Sequence, residues 1–149
     1  MKILRIIAIV LSLVGITDST YLTIHHYTAE PVPCSIVAGC EMVLTSSYAE
    51  ISGIPLAAFG TAAYLAAFVL ALYSLFGSQI AWKLFGVQTI LMAFFSGWLI
   101  YVQAKVIGAF CQFCLLSAAT TFSLLIVFAI SLVISPRSGT ATGPETNPS

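Results

Sequence analysis

The chain has 149 residues, of which 60% are hydrophobic and 7% charged, and its mean hydropathy is +1.07. Soluble domains carry roughly 25% charged residues, so a water-soluble globular fold is excluded and the composition is that of a membrane protein. Formal net charge is zero, which leaves no basic field for nucleic acid and no acidic tract.

Four apolar runs, at residues 3 to 26, 54 to 76, 82 to 104 and 109 to 134, can each cross a hydrocarbon layer of about 30 Å as helix, which takes roughly 20 residues. Lipid offers the backbone no hydrogen bonds, so the expected fold is all-α, a four-transmembrane-helix bundle with antiparallel neighbours. The first run follows Lys2 and Arg5 as a signal peptide would. Its apolar pattern continues through YLTI, however, and no small-x-small site precedes Asp18, so it is expected to stay as a span.

The loop from Tyr27 to Gly53 carries Pro31 and Pro33, which oppose helix near Cys34. Ala38 to Ser47 is expected to form a short helix on the membrane surface, with Val37, Met42, Val43 and Leu44 covering the bundle mouth as a lid. In the second span Ala57, Ala58, Gly60, Ala62 and Ala63 allow close helix approach. The stretch from Ser135, rich in Pro, Gly, Ser and Thr, reads as a disordered tail. One domain is therefore expected over residues 1–135, followed by a cytoplasmic tail over 136–149.

Lys2, Arg5, Lys83 and Arg137 fall on one side of a four-span chain and Lys105 alone on the other. The basic side is the cytoplasmic one. Both termini are then cytoplasmic, in the inner (plasma) membrane of the cell, and Cys34, Cys40, Cys111 and Cys114 all face outward, where disulfides persist.

Two structural disulfides would suit such a loop, and a zinc site would need Cys34 and Cys40 with Cys111 and Cys114, perhaps joined by His25 or His26. The spacing favours reactivity. Cys111 and Cys114 lie one turn apart at a helix start, where free N–H groups and the helix dipole favour a thiolate, the species that attacks disulfides. A loop closed over so few residues would constrain the unfolded chain little. No metal ligand set is assigned.

The order and spacing of GITDSTYLTIHHY, CSIVAGC, EMVLTSSYAEISGIPLAAFG and CQFC resemble the vitamin K epoxide reductase family in its bacterial form, over roughly residues 1 to 135. The resemblance implies a relay in which a thioredoxin-like (DsbA-like) extracytoplasmic partner reduces the loop pair Cys34 and Cys40. The loop pair then reduces Cys111 and Cys114, and Cys114 lies against a membrane quinone such as ubiquinone or menaquinone. Ser46 matches a serine that the family places near the active cysteines. Where vertebrate members present a quinone-contacting asparagine and tyrosine, this chain has Leu56 and Ala118, which leaves epoxide reduction and antagonist sensitivity without their usual residues. Some bacterial relatives carry a fused thioredoxin-like domain; here a separate partner protein is expected.

A quinone is an apolar two-electron acceptor held in the bilayer, whereas exported dithiols are in water, and a dithiol at a helix mouth can meet both. Protein dithiols have potentials near about −120 to −270 mV, and about 30 mV corresponds to 1.4 kcal/mol, so electrons are expected to flow from partner thiols to quinone. Phe110, Phe113, Phe94, Phe95 and Trp98 are candidates for the ring site below Cys114, although Trp98 and Tyr101 equally suit interfacial anchors. Asp18, the one acid inside a span, is a functional suspect, either as part of a proton path or hydrated near the outer end. The alternative function is a non-enzymatic metal-binding or transport protein with a four-cysteine outer site. An unrelated four-span disulfide generator has the two cysteine pairs in the reverse order.

Overall fold

A computed structural model describes residues 1–36 and 39–135. Val37 and Ala38 of the expected lid, and the expected tail over 136–149 with Arg137, lie outside the described residues. The elements run α1 (Lys2–Thr28), α2 (Cys40–Leu44), β1 (Glu50–Ile51), β2 (Ile54–Pro55), α3 (Leu56–Leu75), α4 (Gln79–Val102) and α5 (Gln112–Ile134). A π-helical turn, Gln103–Ile107, continues α4. Four helices among the described residues are long and apolar enough to cross a membrane. The chain is a multi-pass, all-α membrane protein.

Local chemistry sets the ends of these helices. Ala29 leaves α1 in the left-handed region at φ 53, two residues before Pro31 would stop any continuation. The Ser78 side chain accepts from the Ala81 N–H and starts α4. The second span begins at Leu56 rather than residue 54, because Ile54 and Pro55 pair with Ile51 and Glu50 in a small antiparallel hairpin. Ser52 and Gly53, at φ 55 and 82, supply the two positive-φ positions that such a two-residue turn demands. The expected surface helix is shorter than Ala38 to Ser47, ending at Leu44. Thr45 and Ser46 turn their hydroxyls onto the carbonyls of Glu41 and Val43 there, which competes with further helix.

Helix α1 packs against α3 and α5, and α4 against the same two, closing a four-helix ring. Ala8, Ala67 and Ala71 are fully buried, which brings backbones close as small residues do between spans. The dense part of the core gathers these with Tyr64, Trp82, Phe85, Leu124, Val127 and Phe128. Ile3, Val10, Leu65, Val87 and Val133 point outward, which is the arrangement lipid requires.

Arg5 is buried at the end of the bundle opposite the cysteines and donates to the Ser74 carbonyl in the last turn of α3. Its guanidinium lies 5.7 Å from the Trp82 ring centroid. Trp82 Nε1 in turn donates to Ser131 Oγ at 2.9 Å. One cation thus serves an orphan helix-end carbonyl and an aromatic face, ties α1 to α3 and α4, and through Trp82 reaches α5.

Gly86 lets α4 pass against Phe128, whose ring occupies the space a Cβ would need. Gly86→Val should therefore cost about 1–3 kcal/mol, seen as a lower thermal unfolding midpoint in detergent. Gly97→Ala, in the same helix where a Cβ meets nothing, should leave the midpoint unchanged or raise it slightly.

Candidate active site

The four cysteines meet at one end of the bundle. Cys34 and Cys40 form a disulfide with Cα atoms 6.2 Å apart, and Cys111 and Cys114 are free thiols. Cys40 (1% exposed) and Cys111 (0%) are buried in a common cluster with Val43, on which Cys34, Leu44, Ile107, Ala109, Phe113 and Cys114 pack. Cys34 is only half-buried.

Several backbone devices hold this contact. Gly108, at φ 70, turns the chain out of the π-helical turn and back toward the start of α5. Gln103 is buried, and its Oε1 accepts from the Cys111 N–H at 3.0 Å while its carbonyl accepts from the Ala109 N–H at 3.2 Å. On the other side, a Cβ on Gly39 would stand 2.7 Å from the Phe110 carbonyl oxygen, so only glycine lets the loop press its backbone here. The Gln112 side chain accepts from the Ile36 N–H at 3.0 Å and ties the same loop to the first turn of α5.

Cys111 is the N-cap of α5, so Cys114 stands one turn in. The Cys114 thiol, together with the backbone N–H groups of Cys114 and Phe113, holds the Cys111 thiol below its ordinary value, at about 7, against the opposing effect of burial. A helix start supplies such donors to an anion. A thiol with a lowered value is the more readily converted to thiolate, the species that takes part in exchange.

Beneath this cluster a cavity of about 580 Å³ opens among the helices, a size within the range of small-molecule sites. Its wall is mostly apolar and includes Leu56, Met92, Phe95 and Ala118. Cys114 lines it, as do Ser46 at the end of α2 and Val43 and Leu44 of the lid. Tyr64 places its hydroxyl on the wall beside Ser117 and Thr121, at 2.9 and 2.8 Å from their hydroxyl oxygens. Asp18 also lines the cavity.

The sequence-derived candidates thus divide. Cys34, Cys40, Cys111 and Cys114 come together; Ser46, Leu56 and Ala118 share the cavity with Cys114. Phe110 and Phe113 are not among the cavity-lining residues. Phe113 packs on the cysteine cluster and on Tyr21, with ring centroids 5.3 Å apart, and Phe110 is exposed. Phe94 and Trp98 are exposed, Trp98 against Phe95 and Tyr48, whereas Phe95 reaches the wall. Met42 points away from the lid interior. Gln103, Gln112 and Tyr64 were not singled out from the sequence. Lone polar side chains at the edge of, or inside, an apolar run were the signal available. Among the described residues no group of three or more His, Cys, Asp or Glu side chains is placed to hold a metal.

A bundle of four spans that sets a loop disulfide against a dithiol at a helix start defines a membrane-embedded thiol redox protein. The family model described as the vitamin K epoxide reductase family matches residues 6–129, and the chain belongs to that family. It is also similar to the thiol-disulfide oxidoreductase LTO1 of Arabidopsis thaliana, 33% identical over 117 residues. That match covers 72% of this chain and 31% of the relative, so the chain corresponds to about a third of that protein's length.

The depressed Cys111 thiol gives a direct titration. In a variant with Cys34 and Cys40 replaced by serine, the ultraviolet absorbance of thiolate should rise with pH to half its first step at about 7. Adding Cys114→Ala removes the largest cause, and the midpoint should move up toward the ordinary value of about 8.5.

Proposed function

We propose that the chain is a quinone-linked protein-dithiol oxidoreductase of the inner (plasma) membrane that supports disulfide bond formation. In this reading the cysteines face the extracytoplasmic side and both termini the cytoplasm. Electrons come from a thioredoxin-like exported partner. The single observation that carries the reading is that buried Cys40 and Cys111 share one cluster while Cys114 opens onto an apolar cavity. Family membership and the likeness to a thiol-disulfide oxidoreductase support thiol–disulfide exchange as the chemistry.

The order of events follows from accessibility. A reduced partner attacks the loop disulfide at Cys34, the more exposed sulfur, and leaves with its own disulfide, so that Cys34 and Cys40 become thiols. Cys40 then attacks a Cys111–Cys114 disulfide at Cys111, with Cys114 as the leaving thiol. Cys34 resolves the mixed disulfide, which restores Cys34–Cys40 and leaves Cys111 and Cys114 reduced.

A quinone, when bound, supplies an apolar acceptor for two electrons and two protons. The cavity suits such a group in volume and in its apolar wall, and Leu56, Met92, Phe95 and Ala118 are the side chains that would hold it. Cys111 and Cys114 would release two electrons and two protons as their disulfide re-forms. Val43 and Leu44 of the lid shield the exchange from water, and Ser46 ends the lid helix at the cavity rim.

Replacing Cys114 by alanine should abolish reduction of an added quinone and should let a Cys40–Cys111 crosslink accumulate, read by non-reducing peptide mapping. Cys40→Ala should still reduce quinone with a small dithiol and should fail with a protein donor. Full activity of Cys40→Ala with a protein donor would refute the relay.

A further inference from the structure

Asp18 lies ten residues before the end of α1, which places it about 15 Å inside the helix terminus at 1.5 Å per residue. It is 7% exposed, and neither carboxyl oxygen has a hydrogen-bond partner. The helices packed on α1 are α3 and α5, and neither carries a charged residue. The other titratable groups on the cavity wall are Tyr64 and Cys114, with Tyr48 and His26. Cys111 lies just above, and His26 faces Glu50 at 3.7 Å. An ionised carboxyl with no counter-charge and no donor is expensive to bury. The uncharged acid avoids that cost and has an O–H to give.

Most buried serines and threonines of this bundle turn back onto their own helix, and buried Thr121 pairs with the Tyr64 hydroxyl instead. Ser12, Ser19, Ser74, Thr89, Thr120 and Ser131 all donate to a carbonyl three or four residues earlier. Asp18 has no such internal solution and borders the cavity that Cys114 also borders.

We propose that Asp18 is a catalytic acid of this site, giving a proton to an oxygen of the quinone-class acceptor held in the cavity. This rests on the quinone-linked reading above. The balance closes within the cavity. Disulfide formation between Cys111 and Cys114 releases two electrons and two protons, the acceptor takes up two of each, and the proton that leaves Asp18 is replaced by one of the two from the thiols.

The test uses dicyclohexylcarbodiimide, which modifies protonated carboxyls in apolar surroundings, on the full chain, with mass spectrometry as the readout. Asp18 should be labelled, and a short-tailed ubiquinone analogue should suppress that labelling several-fold. Asp18→Asn should slow quinone-coupled turnover by about 10²-fold, the lower range for loss of a general acid. Exchange between the loop pair and Cys111 should persist in that variant, and Asp18→Glu should recover part of the rate. Absence of labelling, labelling unaffected by an analogue that the wild-type chain reduces, or wild-type turnover by Asp18→Asn would each overturn the assignment to Asp18 alone. Failure of the wild-type chain to bind or reduce the analogue would overturn the quinone-linked reading together with it.

Discussion

The packing of Cys40 and Cys111 into one buried cluster is the point on which the rest of the architecture depends. Thiol–disulfide exchange needs one sulfur in reach of another, and these two belong to a loop and a helix start separated by two whole spans. Neither can hold the other in place by itself. Gly39 removes the side chain that would keep the loop off Phe110, Gln112 grips Ile36, and Gln103 fixes the Cys111 amide. The Cys34–Cys40 bond then closes the loop on itself with its inner sulfur buried. Side-chain amides are suited to this task, because in a site that must change its redox state they bind backbone without adding a charge.

The two ends of the bundle are built for different purposes. At the N-terminal end, Trp82 and Phe85 stack with centroids 4.8 Å apart, Phe128 fills the space left by Gly86, and Arg5 knits three helices together. Toward the cysteines the same helices part around a cavity whose floor is Tyr64, braced by Ser117 and Thr121. Gly15 permits this brace, since the Tyr64 ring occupies the place of its missing Cβ. Stability supplied at one end offsets the packing given up at the other.

How much of this was legible in the sequence differs by element. The four spans were visible because lipid imposes length and apolarity on every residue of a helix at once, and only their ends moved, by no more than three residues: by two at the end of α1 and the start of α3, by one at the end of α3, and by three at the starts of α4 and α5 and where the π-helical turn extends the third span to Ile107. The hairpin at Glu50–Pro55 left no periodicity to read, since each strand has two residues. Its turn, Ser52–Gly53, was the one local sign. The cavity face of α5 was encoded more plainly than the choice of aromatics suggested: Cys114, Ser117, Ala118 and Thr121 recur at the spacing of one helical face. Phe113, one position before Cys114, is rotated by about a quarter turn and meets Tyr21 instead. Gln103 was not legible because its task depends on a π-helical turn that brings it over a residue eight positions later.

Among the described residues the buried side-chain polar atoms without a partner are Arg5 Nε and the two oxygens of Asp18. The first belongs to a guanidinium already bound through Nη1 and an aromatic face. The carboxyl has no such alternative. A helix of this kind can easily place a serine or an alanine at such a depth, as it does at Ser12, Gly15 and Ser19 on the same buried face. Retaining an acid there costs stability on folding, and the cost is intelligible where the acid faces a space that a polar atom of a bound molecule would enter. Cys114 and Asp18 border that space from different helices, α5 and α1. An acceptor between them would find its electrons on one side and a proton on the other. Thiol oxidation releases both in equal number, so the site can return to its starting state without drawing a charge through the membrane.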